Sequence, residues 1–162
     1  MSIKKILVRI LILSGVFIFP FPVFSGDPES QSEEAKQIVS LVEKAEALIT
    51  AREKDAFPEF RIKGSEWYKG ETYIFIIDMQ GTSIVNPPSP EIEGTNVLDT
   101  KDANGKTLIR EMIAMLETRG SGWIDYMWPK PGKIAPSKKS SYIKKVKLGE
   151  ETLIVGAGIY SD

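Results

Sequence analysis

The chain contains no cysteine and no histidine among its 162 residues. Without cysteine there is no disulfide framework and no thiolate centre. Without histidine the usual general base, the commonest metal ligand and the usual haem ligand are all gone. Charge excess is missing too: 21 Lys and Arg face 22 Asp and Glu, so the basic field that a nucleic-acid partner requires is absent. There is no Gly-x-Ser-x-Gly elbow and no phosphate-cradling glycine loop. Asp78, Asp99 and Asp125 are available carboxylates, but no spacing singles out an acid/base pair. Together these gaps argue against an enzyme, a bound cofactor and a metal centre.

What is present begins with a basic start (Lys4, Lys5, Arg9), an apolar run from Ile10 to Phe19, and small residues before Gly26. That is the layout of a secretory signal peptide spanning residues 1–25. Cleavage after Ser25 leaves 137 residues, enough for one compact domain, and loss of those three cations moves the formal charge from −1 to −4. The competing reading is an uncleaved membrane anchor, since Ile6 to Phe24 approaches the roughly 20 residues that span a bilayer. Pro20 and Pro22 disfavour a continuous helix there. Either way the domain at 26–162 is expected outside the cytoplasm, periplasmic or secreted, or tethered to the membrane.

Ser30-Gln31-Ser32-Glu33 fits a capping box. Apolar residues then recur at Ala35, Ile38, Val42, Ala45 and Ile49, which predicts a long amphipathic helix over about 32–56, ended by Pro58. Its stripe faces either the core or a second copy of the chain. Thr72 to Asp78 is a continuous apolar, β-branched and aromatic run expected as a strand. Met79-Gln80-Gly81 turns it back through Thr82 to Val85. Leu108, Ile109, Met112, Ile113, Met115 and Leu116 give a second helix, stopped at Gly120. Three strands follow, at Trp123–Trp128, from about Ser140 to Leu148, and at Thr152–Tyr160, the last containing Gly156 and Gly158. Such internal glycines mark a bulge or a close approach. The expected fold is α+β: a PAS-like five-stranded antiparallel sheet over about 72–160, a long N-terminal helix, and a second helix between the two halves of the sheet.

Gly120 to Tyr142 concentrates Trp123, Tyr126, Trp128 and Tyr142 beside Lys138 and Lys139. Strand alternation puts Tyr126 and Trp128 on one face with Ile124, and Trp123 and Asp125 on the other. Aromatic rings with polar tips beside a cation suit a small pocket for an organic anion. The plainer reading is that they pack a sheet against a helix, with Lys139 solvated in a loop. Seven lysines between Lys130 and Lys147 are better read as a solvated hairpin than as a nucleic-acid or lipid surface. Thr100 to Glu111 imitates part of a calcium loop, but Thr stands at its first position and Leu108 at its ninth. Asp102 or Asn104 as a helix N-cap is the ordinary explanation.

Several of these segments resemble the extracytoplasmic single Cache domain family. The resemblance is carried by Tyr73 to Gly81 with Asn86-Pro87, Gly94 to Asp99, Lys101 to Lys106, Gly122 to Pro129, Lys139 to Tyr142, and Val155 to Tyr160. It runs over about Ala35 to Tyr160. It implies a small-molecule sensor, often for short carboxylates such as acetate, propionate, pyruvate or lactate and in some cases for amino acids, usually fused to a chemoreceptor or kinase module. Many relatives carry a histidine where Asn86 stands. The implied site has Lys139 as the cation, Tyr126 and Tyr142 as hydroxyl donors, Asn86 as an amide, and Trp128 and Tyr73 as apolar walls. The expected partners are a small organic anion and a membrane receptor, or a second copy through the long helix. The alternative is a membrane-tethered or dimeric structural module without ligand.

Overall fold

A computed structural model describes residues 33–161. The expected signal peptide and the Ser30–Ser32 part of the capping box lie outside the described residues. Helix α1 runs Glu33–Arg52 and buries Ala35, Ile38, Val42, Ala45 and Ile49. This is the predicted stripe, and burial of its larger members contributes roughly 1.5–3 kcal/mol each. The helix stops earlier than its apolar pattern suggests. Glu53 takes a positive φ of 50°, a short 3-10 turn covers Glu53–Ala56, and a new turn, α2, spans Phe57–Phe60. Pro58 therefore opens a helical turn, a place where its missing N–H costs nothing, instead of ending α1.

The run from Thr72 to Asp78 is divided. Strands β1 (Tyr68–Lys69) and β2 (Thr72–Tyr73) pair as a small separate ribbon. Ile74 breaks the ladder, its N–H bonded to the Trp67 carbonyl at 3.0 Å, and β3 (Phe75–Asp78) follows. Then come β4 (Ser83–Val85), α3 (Leu108–Arg119), β5 (Ser121–Pro129), β6 (Pro136–Leu148) and β7 (Glu151–Ser161). The five-stranded sheet has the order β4-β3-β7-β6-β5 and is antiparallel at every pairing. Gly120 ends α3 in the left-handed region at φ 74°, and its N–H reaches the Leu116 carbonyl at 3.1 Å.

The sheet separates two cores. On one face, α1 and α2 pack on Val146, Leu148, Leu153, Val155 and Ala157. The stripe of α1 thus covers the sheet. On the other face, α3 and the connection between β4 and α3 cover Tyr73, Phe75, Ile77, Ile124, Tyr126, Ile143 and Ile154.

Strand β5 lies at the edge of the sheet, where free backbone groups invite unwanted pairing. Asp102 closes part of that edge. One carboxylate oxygen accepts the Asn104 and Lys106 N–H groups, each at 2.9 Å. The other accepts the Met127 N–H of β5 at 3.0 Å. Lys106 adds a bond to the Asp125 carbonyl at 2.8 Å. The expected capping role for Asp102 is corrected here: α3 begins at Leu108 after Thr107, and Asp102 ties its own loop to the sheet edge. Glu111, the last position of the calcium-like pattern, pairs with Lys106 at 3.1 Å.

Candidate functional site

Strand β6 begins at Pro136, so Lys139 belongs to the strand and not to the preceding loop. Alternation then sends Lys139, Ser141 and Ile143 to the α3 face. Lys139 is 1% exposed, which removes the solvated-loop reading. In the ladder it lies between Tyr126 of β5 and Tyr160 of β7. Its Nζ stands 3.9 Å from the Tyr73 ring centre, 4.8 Å from Tyr160 and 5.6 Å from Phe75. Ring faces attract a cation, but they do not replace hydrogen bonds, and among the described residues Nζ has no hydrogen-bond partner. Burial pushes this ammonium down to about 7 from its ordinary 10.5.

The surrounding hydroxyls are held neutral. Burial raises Tyr73 well above the ordinary tyrosine value, Tyr160 adds to that effect, and a bond from the Trp128 side chain opposes it. Burial likewise raises Tyr126 and Tyr160. The Tyr126 hydroxyl meets Ser141 Oγ at 2.9 Å. The Tyr73 and Tyr160 hydroxyls stand 3.4 Å apart, and Tyr160 donates to the Pro129 carbonyl at 2.8 Å.

Beside this box lies a small, partly open cavity of about 40 Å³. Tyr73, Phe75 and Ile77 floor it, Leu108, Ile109 and Met112 roof it from α3, and Tyr126 and Trp128 close one side. Ser83 and Asn86 add polar lining near the β4 end, and Thr100 contributes a further hydroxyl. That volume lies below the range of ordinary small-molecule sites, so an occupant of several heavy atoms requires the walls to yield. Ser83 Oγ and Asn86 Oδ1, like Lys139 Nζ, are buried without a hydrogen-bond partner among the described residues. The position of Asn86 is set by a relay: its N–H donates to Glu93 at 2.7 Å, and Arg61 holds Glu93 at 2.7 Å while also bonding the Ile84 carbonyl at 2.9 Å.

The structure brings Tyr73, Asn86, Tyr126 and Trp128 around one cavity and puts Lys139 behind its Tyr73 and Phe75 wall. Tyr142 is a correction. It lies three residues from Lys139 on the same strand, so the odd offset turns it to the α1 face. There it packs against Trp123 with ring centres 5.6 Å apart. Ser83, Phe75 and Tyr160 were missed. For Ser83 the one sequence signal is a small polar residue in a short strand. The strand glycines mark close approaches: a Cβ on Gly156 would overlap the Phe75 ring, and one on Gly158 would overlap Ser141 Oγ.

A PAS-like sheet carrying a long helix on one face and a small, partly open, mostly apolar cavity on the other defines a sensory ligand-binding domain. The family model for the Cache domain matches residues 30–162, and the chain belongs to that family. It is 32% identical over 95 residues to the methyl-accepting chemotaxis protein McpP of Pseudomonas putida, a match covering 59% of this chain and 17% of that receptor. The chain spans about a fifth of the length of the curated relatives it matches. Among solved structures it resembles a Cache chemosensory domain studied for carboxylic acid recognition. The TM-score is 0.70 at 28% identity, over 80% of this chain and 94% of that one. It also resembles the periplasmic sensor domain of a chemotaxis protein, with TM-score 0.62 and 30% identity over 76% and 88% of the two chains. Among the described residues no helix is long and apolar enough to cross a membrane.

Proposed function

We propose that this domain binds a short organic carboxylate in the cavity between the sheet and α3, outside the cytoplasm, and presents the bound state to a membrane receptor. The observation that carries this reading is the Lys139 ammonium, buried and without a hydrogen-bond partner among the described residues. A buried cation left unpaired is costly. An incoming carboxylate relieves that cost and gains charge-assisted hydrogen bonds, worth about 1.5–3 kcal/mol each. With Tyr73 and Tyr126 as neutral donors, and after the ordering cost, affinities in the micromolar to millimolar range follow. Entry requires the Tyr73 side of the box to yield, because Lys139 does not itself line the cavity. The known carboxylate-recognising Cache domain of similar fold supports the reading. So does the absence of any charged side chain among the cavity-lining residues, which leaves Lys139 as the natural counter-charge.

Isothermal titration of the purified protein with acetate, propionate, pyruvate and lactate tests this. Binding that Lys139→Met abolishes supports the reading. Absence of heat and of thermal stabilisation with every acid, in a folded protein, overturns it and leaves an interaction module without ligand.

A further inference from the structure

The lysine-rich stretch from Lys130 to Lys147 reads in sequence as a solvated hairpin, and the fold sorts its members. Lys139 turns inward. Lys144 pairs with Glu46, and Lys130 with Glu71 at 3.3 Å. Lys133 stays exposed at the tip joining β5 to β6. Beside it Ile134 is 95% exposed. From Tyr126 to Gly149 the chain holds no Asp or Glu. The tip is rigid: the Lys133 N–H bonds the Lys130 carbonyl at 2.9 Å, Pro131 fixes one central residue of the turn, and Gly132 takes a positive φ of 74° at the other. A shallow groove passes Trp128, Pro129 and Ile134, with Lys101 and Lys133 among its walls. Asp102, the carboxylate in that groove, is already taken up by backbone N–H groups.

Topology decides what the tip faces. Lys138 of β6 pairs with Ser161 at the end of β7, and the hairpin continues past that point to the Pro129–Pro136 pair. The start of α1 lies at the same end, since Glu34, Ile38 and Leu41 share a groove with Ile159 and Tyr160. The apolar run Ile10–Phe19 joins the domain there, with only the thirteen residues Pro20–Ser32 between it and α1. A bilayer entered by that run lies against this end. A fluid acyl layer closes around a single projecting side chain, whereas a docked protein needs a far larger patch, on the order of 800 Å² per partner.

We infer that the β5–β6 tip is a contact site for an anionic bilayer surface, Ile134 entering the acyl boundary while Lys101 and Lys133 meet lipid phosphates. The site is independent of the carboxylate reading, yet it adjoins the cavity, because Trp128 lines both recesses.

The chain has no cysteine, so one introduced thiol gives one labelled position. The test places an environment-sensitive fluorophore on full-length Ile134→Cys and, as a control, on full-length Glu150→Cys. Glu150 is exposed in the β6–β7 turn, roughly 40 Å along β6 from the tip at about 3.3 Å per residue. On adding vesicles of phosphatidylcholine with phosphatidylglycerol, the label at 134 is expected to shift to the blue and to be quenched by nitroxide lipids, and the label at 150 to stay unchanged. Lys101→Glu with Lys133→Glu, both exposed, is expected to cut the response at 134 by roughly fivefold or more. Added salt should weaken it in the unsubstituted background. Any attachment through residues 1–32 is shared by all variants, so charge reversal and salt isolate the tip. A label at 134 that stays silent with these vesicles overturns the inference. So does an equal shift at 150, or a response at 134 that charge reversal and salt leave intact. A label at 134 that responds to a soluble acidic protein but to no vesicle replaces the bilayer with a protein partner.

Discussion

Lys139 Nζ stands 3.9 Å above the centre of the Tyr73 ring, and this pairing joins the buried charge to the cavity. Tyr73 is both a ring face against the ammonium and part of the cavity wall. On the proposed reading, a carboxylate reaching Lys139 alters that contact, which would link ligand occupancy to the position of β2.

Ligand affinity will depend on pH through Lys139. In the free protein its ammonium titrates near 7, pushed down by burial. A bound carboxylate favours the charged form and raises that value. Binding therefore takes up a proton above pH 7. Affinity should be level below about pH 7 and fall by roughly tenfold per pH unit above it. Titration in buffers of different ionisation enthalpy should show that proton uptake. A flat profile from pH 6 to 9 would sink the assignment.

Stability of the free protein runs the other way. The unfolded chain holds the Lys139 proton up to the ordinary 10.5, whereas the folded chain releases it near 7. Between those values the unfolded state binds more protons, so this group makes stability rise with pH across the window. Below pH 7 the cost of burying the ammonium is fully present. Lys139→Met should remove this slope and stabilise the free protein at pH 6 by about 1–3 kcal/mol, read by urea denaturation at several pH values, while eliminating carboxylate binding.

Asp102 carries the edge closure. Its carboxyl is held below the ordinary carboxylate value, first by the Met127 N–H and then, against the opposing effect of burial, by the Lys106 and Asn104 N–H groups. That stability is present above the ordinary carboxylate range and is lost as pH falls through the lowered value. Asp102→Ala should cost on the order of 2 kcal/mol and speed hydrogen exchange at the Met127 amide. Unchanged exchange there would refute the tie.

Gly158→Ala should act on the site through packing. The added Cβ overlaps Ser141 Oγ and the Ser140 carbonyl, forcing Ser141 away from Tyr126. Overpacking of this kind costs about 1–3 kcal/mol. Carboxylate affinity should fall along with the melting temperature. Retained stability and affinity would mean the strands separate freely at this point.

Much of the fold was legible because it follows from periodicity and chain punctuation. The α1 stripe from Ala35 to Ile49 and the α3 face around Met112 have helical spacing, and Gly120 adopts the left-handed conformation its position suggests. The β5 alternation of Ile124, Tyr126 and Trp128 also emerges on one face. Boundaries were less legible. Arg52 ends α1 although the apolar pattern runs on, because Glu53 turns the backbone to positive φ, a choice that packing of Phe57 and Phe60 rewards and spacing does not record.

By itself the sequence determined the two long helices and the five strands of the main sheet, the exclusion of thiol and imidazole chemistry, and the presence of Lys139 among aromatics. Only the tertiary structure decided that Lys139 is buried and Tyr142 is on the other face. Both follow from where β6 begins: with Pro136 paired to Pro129, the parity of every later side chain is set by its ladder partners. Tyr73 and Phe75, either side of the Ile74 break, and the distant Tyr160 of β7 then converge on Nζ, an enclosure that local pattern cannot encode.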